Sequence, residues 1–194
     1  MGLTFGQDAT GKLLNARNHL DSVINYNKDE KTVKLYETDI ETLDSILSLS
    51  SKKYKIIYFY SPTCYSSKLN FPIIKEYVTK NEKYFDMFLV SGHQYDKIPE
   101  IKKSLKLNNY YQPVFILDTN KYGNRANPFS RLDKLTKKMC SKCQHNKMGF
   151  SAFIVFDEKN NVIGYTNYDY TSEEKLELLK TVTNNGNRCP SLNF

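Results

Sequence analysis

The stretch YKIIYFY at 54–60 sets the first constraint on this 194-residue chain. A strand with one wet face alternates apolar and polar residues, whereas a strand covered on both faces reads as a nearly unbroken apolar run. YFDMFLV at 84–90 and QPVFILD at 112–118 have the same character. Strands of this kind need helices on both sides of their sheet, and helical patterns do lie between them. TVKLY at 32–36 alternates as a strand. Thr38 to Glu41 has the form of a capping box, followed by Ile40, Leu43, Ile46 and Leu47 on one helical face. Beyond Cys64, Leu69, Ile73, Ile74, Tyr77 and Val78 predict a helix to about Lys80. Asp96 to Leu107 predicts another, with Pro99 in its first turn and Ile98, Ile101 and Leu105 inward. Phe129, Leu132, Leu135 and Met139 mark a helix over 129–139. SAFIVFD and NVIGY, joined by EKN, form a hairpin, and a second capping box at Thr171 to Glu174 opens a last helix with Leu176, Leu179 and Val182.

The resulting order, β-α-β-α-β-α-β-α-β-β-α, predicts an α/β fold. Its central sheet is mixed and mainly parallel, with helices on both faces and an antiparallel edge hairpin. Residues 1–30 read as a polar extension with a helical signal over Lys12 to Tyr26, residues 31–183 as one domain, and residues 184–194 as a loose polar tail. No run approaches the roughly 20 apolar residues that span a bilayer. The start shows no leader pattern, so the expected compartment is the cytoplasm, or the periplasm or cell envelope if a leader has been removed.

The net charge of +7 is unevenly placed. Lys121, Arg125, Arg131, Lys134, Lys137, Lys138, Lys142 and Lys147 face a single acid, Asp133, within residues 121–147, so the rest of the chain is neutral overall. Such a segment reads either as a solvated helix face or as a surface for an acidic partner. No nucleic-acid motif accompanies it, and no nucleic-acid partner is expected. No phosphate-cradling glycine loop, paired-carboxylate motif or Ser–His–Asp pattern appears, and no cofactor is expected.

Chemistry concentrates on four cysteines, Cys64, Cys140, Cys143 and Cys189, too few for a disulfide scaffold at this length. In SPTCYSS, Pro62 and Thr63 lead into Cys64, and Tyr65 and Ser67 follow it at the start of a helix. A cysteine at a helix N-terminus meets unpaired backbone N–H groups and the positive end of the dipole, which favour the thiolate. The competing reading is a buried structural cysteine. Cys140-Ser-Lys-Cys143 is a close pair in the basic segment. Three readings compete for it: a structural disulfide, a resolving thiol for Cys64, or half of a zinc site with His145 and Cys189. His93 follows a strand end and lies near the site, and His19 falls in the extension.

The run YKIIYFY, then SPTCYSS, then Pro72 eight residues after Cys64, resembles the thioredoxin-like fold, and the closing unit SAFIVFDEKNNVIGY plus a helix extends the likeness over about residues 32–183. The resemblance implies a three-layer sandwich. The added strand QPVFILD and its helix are similar to the inserted unit of the TlpA-like and redoxin branch. Cys64 matches the family nucleophile, and Ser67 stands where the resolving cysteine belongs. Ser151 stands at the position of the family's cis-proline; Pro113 does not replace it. The peroxidatic pattern is absent, since Ile57 lies seven residues before Cys64. The resemblance also brings Cys140 and Cys143 toward the active-site end of the sheet. It implies a thiol–disulfide oxidoreductase, or a one-thiol redox protein, that works through Cys64 on a protein or small-thiol partner with Ser67 hydrogen-bonded to the thiolate. The alternative is a degenerate binding module that uses the basic segment 121–147.

Overall fold

The computed structural model describes residues 14–25 and 30–185. The apolar runs form the centre of a seven-stranded sheet in the order β1-β2-β5-β4-β3-β6-β7. Its strands are β1 (Leu14–Asn15), β2 (Leu35–Thr38), β3 (Tyr54–Phe59), β4 (Phe85–Ser91), β5 (Val114–Leu117), β6 (Phe153–Phe156) and β7 (Val162–Tyr165). The first five in spatial order run parallel, and the β6–β7 hairpin adds the antiparallel edge. β3 is buried at every position, as its unbroken apolar run requires.

The helices are α1 (Leu20–Ile24), α2 (Ile40–Leu49), α3 (Tyr65–Lys80), α4 (Ile98–Leu107), α5 (Thr119–Tyr122), α6 (Pro128–Met139) and α7 (Ser172–Asn185). The two-residue period of β3 separates two cores. Tyr54, Ile56, Tyr58 and Tyr60 pack with Phe71, Ile74 and Val78 of α3, Ile101 and Leu105 of α4, and Leu178, Leu179 and Val182 of α7. Ile57 and Phe59 point the other way, among Leu43 and Leu47 of α2 and Leu132 and Leu135 of α6. This is the expected three-layer arrangement. Cores of this kind carry most of the stability of a domain, at about 25 cal/mol for each Å² of apolar surface buried.

Several expected details change. Thr38 ends β2 instead of capping α2; Asp39 is the cap and accepts the Thr42 N–H at 2.8 Å. A carboxylate caps a helix as well as a hydroxyl does, and Thr38 is held in the ladder. The box at Thr171 forms as written, with Thr171 N–H donating to Glu174 and Glu174 N–H donating to the Thr171 hydroxyl. On α3 the inward residues are Ser67, Asn70, Phe71, Ile74 and Val78, while Leu69 and Ile73 stand outside, 50% and 40% exposed. The helix is turned toward its polar residues because Asn70 and Ser67 find buried partners. Phe129, expected inside α6, is 55% exposed, and Arg131 is buried instead. Arg131 donates to the carbonyls of Gly92, Gly123 and Asn124, so its charge is spread over backbone oxygens. Residues 14–24 are docked on the domain: Leu14 pairs with Tyr36, and Ala16 and Val23 enter the second core. The tail expected from residue 184 lies outside the described residues beyond Asn185.

Candidate functional site

β3 delivers the chain to Ser61, Pro62 and Thr63, and Cys64 follows as the N-cap residue of α3. Cys64 has extended backbone angles, φ −79° and ψ 125°, and its carbonyl accepts the Lys68 N–H at 3.1 Å. Its side chain makes no capping hydrogen bond. The first turn of α3 carries no acidic residue, so nothing negative competes for the helix terminus. Cys64 is a free thiol, half-buried against the second core, and the next residue, Tyr65, is 74% exposed. The expected position of Cys64 at the carboxyl end of a central strand is therefore what the fold provides.

Ser67 is fully buried. Its hydroxyl accepts the Ser61 N–H at 3.4 Å, which ties the loop to the helix; the expected bond from Ser67 to the Cys64 sulfur is not present. Ser61 bonds to His93 Nε2 at 2.7 Å and to the Thr63 hydroxyl at 3.1 Å. His93 thus lies in the loop cluster, as expected. Burial pulls its pKa below the ordinary histidine range, and the nearby Asp96 opposes this only in part. Its ring stacks on Phe150 at 5.0 Å, and Phe150 in turn meets Phe129.

The position beside the thiol loop where the resemblance implies a proline carries instead the hub of a buried polar cluster. Ser151 is fully buried and left-handed, with φ 73°, and its N–H donates to the Phe59 carbonyl at 2.7 Å. Among the described residues no peptide bond is cis. The Ser151 hydroxyl accepts from Asn70 Nδ2 at 2.7 Å, from Lys175 Nζ at 3.2 Å and from the Tyr58 hydroxyl at 3.4 Å, and donates to the Ser66 carbonyl at 3.2 Å. Ser172 bonds to the Asn70 side-chain oxygen, and Lys175 also donates to the Tyr170 carbonyl at 2.8 Å. Burial draws the Lys175 pKa down to about 8, against the opposing pull of Cys64 and Glu174. Burial likewise pushes the Tyr58 phenol far above its ordinary range, with the charge of Cys64 adding to the effect. The Ser66 carbonyl, two residues after Cys64, ties this cluster to the first turn of α3.

Lys175, Asn70 and Tyr58 were not singled out from sequence. Lys175 does carry a legible signal: it falls on the same stripe of α7 as Leu178, Leu179 and Val182. An inward lysine on such a stripe needs a buried partner. Asn70 has the same relation to Phe71 and Ile74 on α3.

Cys140 and Cys143 form a disulfide, both nearly fully buried, at the C-terminus of α6. Both belong to the core cluster against which Cys64 packs. The zinc reading does not fit this arrangement, because two of its four ligands are bonded to each other, and Cys189 lies outside the described residues. His145 Nδ1 is buried without a partner among the described residues. The basic segment is largely engaged by its own neighbours: Lys121 with Asp39 and Glu41, Lys137 with Asp133, Lys147 with Asp169, Lys134 with the Tyr122 carbonyl, and Arg131 inside. Of the run that reads in sequence as one cationic segment, Lys121, Lys137 and Lys147 face carboxylates, and Lys134 and Arg131 donate to backbone carbonyls.

No protein-family model matches the chain, and no curated protein matches it. Solved structures do. A thioredoxin-like protein studied in solution in its oxidised form is 19% identical, with 75% of this chain and 82% of that one covered and a TM-score of 0.50. A second thioredoxin-like superfamily protein is 14% identical over 71% and 83%, with a TM-score of 0.49. A thioredoxin-like protein from Aeropyrum pernix is 12% identical over 86% and 98%, with a TM-score of 0.48. The first likeness, with the strand order and the two helical layers, shows the class of fold: it is thioredoxin-like.

Proposed function

We propose that this chain is a redox protein that exchanges disulfides through the single thiol of Cys64. The observation that carries the reading is the placement of a free, partly accessible cysteine as the N-cap of α3, with no acid in the first turn of the helix. The step balances without a metal or cofactor. The Cys64 thiolate attacks one sulfur of a partner disulfide, a Cys64–sulfur bond forms, the partner's sulfur–sulfur bond breaks, and the second partner sulfur leaves as a thiolate. The substrate class is a protein disulfide or a small-molecule disulfide. Ser67 has no sulfur to release the mixed disulfide, so release requires a second thiol, from solution or from another cysteine of the chain, such as a reduced Cys140–Cys143 pair. The inserted β5 and α6 unit supports assignment to the TlpA-like or redoxin branch of the fold.

Peptide-resolved alkylation of the native protein tests this reading. Cys64 is expected to be modified without denaturant and without prior reduction, while Cys140 and Cys143 are modified only after reduction. If Cys64 reacts only in the unfolded chain, the proposal fails and the fold serves as a binding module.

A further inference from the structure

We propose that Lys175 is the buried counter-charge of the Cys64 thiolate, acting through the cluster centred on Ser151. The inference builds on the redox reading of Cys64 and adds a positioning residue to it. Lys175 is fully buried at the inward face of α7. Its ammonium has two oxygen partners, Ser151 Oγ and the Tyr170 carbonyl, and among the described residues it has no ion pair with a carboxylate. A buried ammonium held only by neutral oxygens is costly and requires an anion or gives up its proton. Glu174, next to it on α7, is exposed and turned to the Thr171 N–H. Tyr58 faces the cluster from β3, but its phenol stays neutral through the physiological range. Asn70 faces it from α3 and carries no charge. The anion that remains is the Cys64 thiolate, two residues before Ser66, whose carbonyl accepts the Ser151 hydroxyl.

The consequence is a linked pair. While Cys64 is an anion, Lys175 keeps its proton. When Cys64 becomes a neutral mixed disulfide, the pair has lost its negative member and Lys175 releases its proton to the departing thiolate or to water. Each site shifts the other by the same free energy, because coupling is reciprocal.

The test follows Lys175 directly. The Cε signals of ¹³C-labelled lysines are titrated in the reduced protein, in Cys64→Ser, and in protein whose Cys64 is capped with a methylthio group; Lys175→Met assigns the signal. Lys175 is expected to lose its proton about one pH unit lower in Cys64→Ser and in the capped protein than in the reduced protein. An unchanged midpoint overturns the proposal. In the converse arm, Lys175→Met is expected to move the midpoint of Cys64 alkylation upward by a similar amount, and an unmoved midpoint also counts against it. If Lys175→Met does not fold, the Lys175 Cε signal is assigned by through-bond correlation to its own backbone amide in uniformly labelled protein, and the comparison of reduced protein with Cys64→Ser then decides. The two readings fail separately. A coupled Lys175 beside a Cys64 that exchanges with no disulfide refutes the redox reading and keeps the pair; a Cys64 that exchanges while Lys175 ignores it refutes the pair alone.

Discussion

Ser151 combines two demands that few residues meet. It adopts a left-handed backbone, which costs a non-glycine residue roughly 1–2 kcal/mol, and it offers a hydroxyl to three buried donors. The proline that the resemblance implies at this place would not fit the observed backbone. Proline fixes φ near −65° and has no N–H, whereas here φ is 73° and the N–H bonds to Phe59. Ser151→Pro is therefore expected to destabilise the protein by more than about 1 kcal/mol, read from the shift of the urea midpoint. Lys175 gives a second prediction. Its folded pKa of about 8 lies below the unfolded value near 10.5, so the unfolded chain holds more protons between those limits. Stability contributed by this site is thus lowest below pH 8 and rises as pH increases toward 10.5. The stability of the native sequence minus that of Lys175→Met is expected to rise by roughly 3 kcal/mol across that window; a flat difference would show that Lys175 is not desolvated. His93 acts in the opposite range: its lowered pKa makes the folded state resist protonation, so stability present above about pH 6.5 is lost as the pH falls below it.

At the scale of elements, the start of α2 is held by the Asp39 carboxylate and by the Tyr122 hydroxyl, which accepts the Ile40 N–H at 2.9 Å. Asp39 caps the helix and pairs with Lys121. Burial alone would raise the Asp39 pKa, but the Lys121 and Thr42 hydrogen bonds overcome it and hold the carboxyl at about 2. Its contribution is present above the unfolded value of 3.8 and disappears as the pH falls toward 2. Asp39→Ala is expected to cost about 1–2 kcal/mol at pH 7, less at pH 2, and Asp39→Asn less than Asp39→Ala at either pH, as measured by thermal unfolding. Another element contact depends on one missing side chain. A Cβ at Gly92 would lie 2.4 Å from the Pro128 carbonyl, so Gly92→Ala is expected to push β4 and the start of α6 apart and lower the melting temperature. The elements themselves were legible because their period is strong: β3, β4, β5 and the closing hairpin match their apolar runs. Their rotations were less so. A hydrophobic count places Leu69, Ile73 and Phe129 inside, because it gives no weight to Asn70, Ser67 and Arg131, which are drawn inward by hydrogen bonds that only the tertiary structure creates.

For the molecule as a whole, two cores on either side of one sheet converge on the loop that presents Cys64. The second core contains the Cys140–Cys143 disulfide and the packing surface of Cys64, and the first contains α7, which carries Lys175. The thiol and its turn were legible as a strand, a turn and a helix with a proline. The polar cluster behind them was not, since Tyr58, Asn70, Ser151 and Lys175 are separated by up to 117 residues and only the closed sheet brings them together. The most direct measurement on the central claim is the mass of the native protein after incubation with oxidised glutathione, with the adduct located by peptide mapping. The account predicts one glutathione on Cys64, added without denaturant and removed by excess thiol, and none on Cys140 or Cys143. A native protein that takes no glutathione at Cys64 until it is unfolded would contradict it.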